Sequence, residues 1–313
     1  MRRKRIALNI ALLALALALA GLAYLRPGAE PEGSEQPPVT QTDPSAVERI
    51  RVVPEAGATT VLQREGGHWR MREPHGIAAA ESAVEALLGL LEAESEGRLE
   101  VGSGQLDRYG LKDPAVTVEM AGHRFRLGDE HPIEPQRYVQ VDGTVHLVQA
   151  ASLRQVEPAW HHYASRRLVP AGASLVRLEL PEASLERVEG GTWQGEASGD
   201  GHVTQDGARS TAQAWERARA LEVSALEGDP PSGAVVRLHL AERDEPLRYR
   251  IERRDEGLRL HRPAPGLSYR LPGGRAEALL DPVTTAEAEE ATEAPASAET
   301  NGVAPDASSD GDG

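Results

Sequence analysis

Ten histidines are the side chains of this 313-residue sequence best suited to hold a metal or move a proton. His161 and His162 are the one adjacent pair, and sequence neighbours point apart on a helix or strand, so the pair alone cannot clamp an ion. No His-Glu-x-x-His string occurs. His123, His146, His239 and His261 fall on expected strands, where pairing can bring two together, but packed or surface histidine is the commoner state. His68, beside Trp69, indicates no chemistry. Gly102-Ser103-Gly104 is not a nucleophile elbow, which needs Gly-x-Ser-x-Gly between strand and helix. Phosphate loops, dinucleotide fingerprints and kinase strings are also missing. The 49 acidic residues allow many carboxylate pairs, most of them solvated surface. With no cysteine, thiolate nucleophiles, disulfides, Cys-ligated zinc and iron–sulfur clusters are excluded. The expectation is a non-enzyme with no catalytic, cofactor-binding or metal-ligating residues and no cofactor.

Arginine is the other concentrated chemistry. Arg248, Arg250, Arg253, Arg254, Arg259, Arg262 and Arg270 crowd the second half of the chain. They read as an anion or partner patch on an outer sheet face, or as ordinary cross-strand partners of Glu242, Glu245, Glu252 and Asp255. The net charge of −15 argues against broad binding to DNA or RNA, which requires a basic surface.

The elements that must position these residues follow an N-terminal apolar run. Arg2, Arg3, Lys4 and Arg5 precede Ile6 to Leu25, which carries no charge. As a helix this run spans about 30 Å, the thickness of a bilayer core. The basic flank keeps the N-terminus cytoplasmic and sends the body across. Ala18-Leu19-Ala20 before Gly21 fits a signal-peptidase site, but the run is longer than a signal core, which favours an uncleaved anchor. Both readings place the body outside the cytoplasm. The expected organisation is a basic stub and anchor (1–26), a flexible linker (27–46), repeat unit one (47–156), a connector (157–173), repeat unit two (174–282) and a disordered acidic tail (283–313).

An internal repeat organises the body. Arg49-Ile50-Arg51-Val52-Val53-Pro54-Glu55-Ala56 matches Val176 to Ala183, Gln63 to Trp69 matches Glu186 to Trp193, and Leu99-Glu100-Val101 matches Leu221-Glu222-Val223. Segments this far apart imply a tandem duplication, since solenoid periods are about 20–50 residues. Each unit opens with short strands, Arg49–Val53, Thr59–Arg64 and His68–Arg72 in the first, with a Gly66-Gly67 hairpin turn and Trp69 and Trp193 as core anchors. A helix over Ala78 to Ala93 carries Val84, Leu87, Leu88 and Leu91 as one stripe. Its counterpart runs from Thr211 to Leu221, with Ser210 and Gln213 as a capping box. An antiparallel meander follows in each unit, turning at Ala121-Gly122 and Asp142-Gly143 in the first, and a short helix closes each unit. The fold class expected is α+β: two tandem repeated units, each an antiparallel β-sheet with one main amphipathic helix, behind a single N-terminal transmembrane helix.

Leu106-Asp107-Arg108-Tyr109-Gly110-Leu111-Lys112-Asp113-Pro114, with Phe125-Arg126-Leu127-Gly128, Arg137-Tyr138-Val139 and Leu168-Val169-Pro170, resembles a bacterial envelope family called domain of unknown function 4340. The resemblance covers roughly Val47 to Leu280 and is strongest in unit one, since unit two lacks the Tyr-Gly-Leu string. It implies a membrane-anchored envelope protein, often encoded beside ABC-type transport systems of the gliding-motility kind, with no established activity. Tyr109, Gly110, Leu111, Pro114 and Tyr138 are the candidate interaction or structural motif, with Gly110 turning the chain and Tyr109 and Leu111 packing beneath it.

The expected role is a periplasmic accessory protein in the inner membrane, tethered by Ile6 to Leu25. It is expected to partner a protein of a transport or envelope complex and to bind no nucleic acid. A binding module for an envelope polysaccharide or lipid is the alternative, which predicts a cleft between the units with exposed aromatics near Tyr109 and Tyr138. An envelope hydrolase is the distant third, and it predicts a polar cluster in a pocket.

Overall fold

Hairpin turns set the first sheet. Gly66 and Gly67 both have positive φ, 55° and 84°, the backbone a two-residue hairpin needs and side chains resist. Ala121-Gly122 and Asp142-Gly143 turn with the same signs. The computed structural model describes residues 37–255 and 257–284. The expected membrane segment Ile6–Leu25, the first half of the linker (27–36) and nearly all of the acidic tail lie outside the described residues. Among the described residues no helix is long and apolar enough to cross a membrane.

The first sheet contains β1 (Arg49–Pro54), β2 (Thr60–Glu65), β3 (His68–Glu73), β4 (Ile77–Ala78), β5 (Gly97–Leu99), β6 (Val116–Met120), β7 (His123–Glu130), β8 (Gln136–Val141) and β9 (Thr144–Gln149). Its order is β4-β3-β2-β1-β6-β7-β8-β9-β5. The second contains β10 (Leu175–Glu179), β11 (Ala183–Arg187), β12 (Trp193–Ala197), β14 (Glu222–Ala225), β15 (Val235–Leu240), β16 (Leu247–Arg254), β17 (Gly257–Arg262) and β18 (Leu267–Pro272). Its order is β12-β11-β10-β15-β16-β17-β18-β14. The two orders coincide strand for strand once β4 is set aside, as a duplicated unit requires. A small third sheet pairs β13 (His202–Val203) with β19 (Val283–Thr284). The described residues are mostly antiparallel β-sheet with few helices.

Alternation decides which face is buried. In β16, Leu247, Tyr249 and Ile251 are buried, while Arg248 is exposed and Arg250 half-buried. Trp69 and Trp193, just past equivalent turns, are both buried.

The helices depart from their expected bounds. α1 is Glu81–Leu88, shorter than Ala78–Ala93, because Ile77–Ala78 is drawn into the sheet as β4 and Gly89 ends the helix. Val84, Leu87 and Leu91 are nonetheless buried. α2 is Ala150–Leu153. α3 is Gln205–Arg217, starting well before Thr211. Its cap is Thr204, whose hydroxyl accepts from Gly207 N at 3.0 Å, so Ser210 and Gln213 lie inside the helix rather than at its start. Leu221, expected on the stripe, lies beyond the helix and is 49% exposed. α4 is Ala276–Leu280.

Packing divides the described residues into two compact units, one of residues 37–47, 52–56 and 85–158, the other of 48–51, 57–84 and 159–284. In the second, Trp215 of α3 is buried against Tyr249 and donates from Nε1 to the Leu279 carbonyl at 2.7 Å. Tyr249 donates to the Leu168 carbonyl at 2.8 Å.

Candidate functional site

The Tyr-Gly-Leu string lies where a 3-10 helix meets the first sheet. Ser103–Tyr109 forms that helix, and Gly110 ends it at φ 64°, its N–H turned back toward Asp107 and Leu106. Leu111 then drops into a core cluster with Tyr138 and Val145, flanked by Leu99, Val101, Leu106, Tyr109 and Leu147. Tyr109 and Tyr138 meet edge to face at 4.8 Å; Tyr138 is only 9% exposed and Tyr109 is half-buried. Burial, with Tyr109 beside it, pushes the Tyr138 phenol up. Pro114 is half-buried at the entry to β6.

Two glycines seat the string. A Cβ at Gly110 would lie 2.5 Å from the Asp129 carboxyl. A Cβ at Gly128 would lie 2.1 Å from the Tyr109 carbonyl and 2.9 Å from Leu111. Between Leu127 and Glu130 the β7–β8 register shifts, and Arg137 Nε donates to the Gly128 carbonyl at 2.6 Å in that irregular stretch. The separate strings Leu106–Pro114, Phe125–Gly128 and Arg137–Val139 thus form one packed joint. Its chemistry is steric: a loop locked to a sheet.

The four expected strand histidines each find a local partner. His146 is buried against Ser95 Oγ at 2.9 Å, and burial, aided by the Arg98 charge, pushes its imidazole down. His239 meets Glu179 at 3.0 Å and His261 meets Glu252 at 3.1 Å. Among the described residues no three such side chains are placed to hold a metal.

His123 enters a chain the sequence did not reveal. Its Nδ1 lies 2.5 Å from Asp142 Oδ2 and its Nε2 lies 2.9 Å from Thr42 Oγ1. Hydroxyl, imidazole and carboxylate in this order form the relay that activates nucleophiles in hydrolases. The surroundings do not suit that use. The Asp142 side chain is 50% exposed, whereas a relay carboxylate is shielded from water. Thr42 belongs to a strap, residues 37–47, fixed further by Val39 N to the Ala93 carbonyl (2.8 Å) and by Thr40 Oγ1 to the Leu91 carbonyl (2.9 Å). The chain is a clip that ties the strap to the β6–β9 meander.

Burial raises the Asp142 carboxyl, but hydrogen bonds from His123 and the Arg124 amide outweigh it and hold the group below the usual carboxylate range. A carboxyl lowered by folding stabilises above its unfolded value and loses that contribution as pH falls through the folded one. The clip is therefore expected to stay closed at neutral pH and to open below about pH 4. Thr42→Val should loosen it at any pH by about 1 kcal/mol. Hydrogen exchange at residues 39–47 measures both effects, and unchanged protection in the variant would refute the clip.

The arginine rows resolve only in part as cross-strand pairing. Arg254 pairs with Glu252, and that guanidinium holds the Glu252 carboxyl below its usual range. Arg270 pairs with Glu222 at 3.1 Å. Arg237, outside those rows, meets Glu179 at 3.2 Å. Glu242 is used instead by the Ser174 amide. Arg243, Arg248, Arg250 and Arg262 have no ion-pair partner among the described residues. These four, with Arg237 and Glu245, line a cleft of about 710 Å³ beside loops 241–246 and 263–266. Arg70 of β3, in the same compact unit, feels the Arg243 and Arg262 charges; burial first, opposed by Glu65, and then Arg72 ahead of Arg243 and Arg262, lowers its guanidinium. Arg70 and Arg243 lay outside the arginine rows seen in the sequence, since only the fold brings them to Arg262.

No curated protein and no solved structure matches the chain. One family model does, over residues 69–227, a span that includes Trp69, the whole Tyr109–Gly128–Tyr138 joint and the Leu168-Val169-Pro170 string. With this joint inside the matched span, the chain belongs to the family described as domain of unknown function (DUF4340).

Proposed function

We propose that this chain is a membrane-anchored accessory protein of the bacterial envelope, held in the inner membrane by Ile6–Leu25 with its N-terminus cytoplasmic and its body periplasmic. It serves as an auxiliary component of an ABC-type transport or envelope complex, working by binding rather than by catalysis. Family membership, read with the basic-flanked apolar run, is the observation that carries this reading. The fold is compatible with it, since the Thr42–His123–Asp142 chain fastens the strap and the family string locks a loop. Affinity purification of the tagged full-length protein from mild-detergent membranes tests it. Stoichiometric recovery of a permease and its ATPase is the expected result, and recovery of the protein alone would overturn it.

A second reading, a periplasmic binding module for an envelope polysaccharide or lipid, is favoured by the cleft with its unpaired arginines.

A further inference from the structure

We infer that the cleft lined by Arg237, Arg243, Arg248, Arg250 and Arg262 is a binding site for a compact, multiply charged phosphate group. The inference deepens the binding-module reading and does not depend on the accessory role.

The cleft takes its shape from sheet topology. β15 and β17 run to the same end of the second sheet, so loops 241–246 and 263–266 emerge side by side and bring Arg243 next to Arg262. On the strands below them, Arg237 stands in register with Arg248. Like charges directly opposite each other repel. Glu179 meets Arg237 from β10, but Arg248 has no such partner among the described residues. Five arginines and one carboxylate, Glu245, line the cleft of a chain whose net charge is −15. Positive charge gathered against the overall balance of a protein requires a counter-charge, and this cleft does not contain enough of its own.

Arg262 supplies the second observation. It alternates with Leu258 and Leu260 on β17, so it shares their inward face, and its guanidinium lies 5.6 Å from the Tyr249 ring. Its guanidinium is shared with the Tyr249 and Tyr269 hydroxyls, but its buried Nε has no hydrogen-bond partner among the described residues. A buried donor left unmatched is unfavourable, and an anion seated in the cleft that Arg262 lines would give it a partner.

Chemistry narrows the occupant. Guanidinium forks match oxyanions two bonds at a time, and several guanidiniums lining one cleft favour a group carrying more than one charge, as phosphate does, over a single carboxylate. A volume of about 710 Å³ suits a small molecule or headgroup. The acidic remainder of the chain repels a long polyanion such as nucleic acid. A phosphorylated lipid headgroup and a soluble phosphorylated sugar share the chemistry, and experiment separates them.

The full-length chain in neutral-detergent micelles is titrated with inorganic pyrophosphate and, separately, with phosphatidic acid in the micelles, with phosphatidylcholine and ionic-strength-matched sodium chloride as blanks. Thermal unfolding is the readout. The wild type is expected to show a saturable rise in Tm with at least one of the two phosphates and none with the blanks. The R243Q/R250Q variant should weaken the apparent affinity at least about tenfold. Arg209→Gln on α3, where Arg209 pairs with Asp206, should bind as wild type does. Far-UV circular dichroism verifies that each variant is folded. A response to phosphatidic acid alone marks a lipid headgroup, and a response to pyrophosphate alone marks a soluble ligand. No saturable response to either, or an unchanged response in R243Q/R250Q, would overturn the inference. Loss of phosphate binding leaves the co-purification result intact, so failure here is distinguishable from failure of the accessory role.

Discussion

Gly128→Ala is expected to destabilise the protein by about 3 kcal/mol or to prevent its folding. The added Cβ would meet the Tyr109 carbonyl at 2.1 Å, and backbone cannot yield as a flexible side chain can. Relief requires lifting the Tyr109–Leu111 loop from β7, which withdraws Leu111 from its cluster with Tyr138 and Val145. Urea denaturation followed by intrinsic fluorescence measures the loss. Near-ultraviolet circular dichroism reports whether the Tyr109–Tyr138 contact survives. Gly122→Ala is the comparison: φ is 84° there, but nothing lies within 4 Å, so only backbone strain of about 1 kcal/mol is expected. Equal losses at the two positions would show that the family string is not seated on Gly128.

Trp215→Ala is expected to cost about 3–5 kcal/mol, the range for emptying a buried aromatic site. Trp215 has no exposed surface. The variant also strips the Leu279 carbonyl of its Nε1 donor, and Leu279 sits on α4. The loss should therefore reach beyond the cavity and free α4, together with β19, which follows α4 and pairs with β13. Trp215→Phe separates the two contributions: it fills most of the volume but cannot donate, so it should cost about 1–3 kcal/mol from the unmet carbonyl plus some lost packing. Chemical denaturation gives the magnitudes, and hydrogen exchange at 276–284 shows whether the end of the second sheet's unit opens first. If that segment keeps its protection in Trp215→Ala, the tryptophan is not what holds it.

Local structure was legible in the sequence wherever a short-range signal controlled it. Gly-Gly, Ala-Gly and Asp-Gly turns between alternating strands marked the hairpins because they fix register within a few residues. The repeat was visible because both copies keep the same strand-turn-Trp opening. Helix limits were less legible. The helix expected over Ala78–Ala93 ends as α1 before Gly89, and α3 starts ahead of Thr211, where the Thr204 hydroxyl accepts from the Gly207 amide as a cap. The return of β5 to pair with β9, and of β14 to pair with β18, left no local trace because those partners are far apart in sequence. The same holds for function-bearing residues. Tyr109 and Gly110 stood out as a string, but the need for Gly128 beneath them is a contact in space. Arg262 was visible in its row, whereas Arg70 and Arg243 joined it only through the fold.

Two sheets with one strand order, carried on one chain, give every strand two addresses while the protein is still folding. β7 and β16 occupy the same rank in their sheets. The irregularity at Leu127–Glu130 shifts the register of β7 against β8, whereas β16 pairs with β17 without a shift. A β7 laid against β17 would therefore fall out of step beyond Leu127, where the extra residue has no partner. Repeat proteins are prone to this exchange between copies. The irregularity at the Gly128 joint, without a counterpart between β16 and β17, is a key cut into only one of two similar locks: it makes the two copies distinguishable where their strand orders are the same.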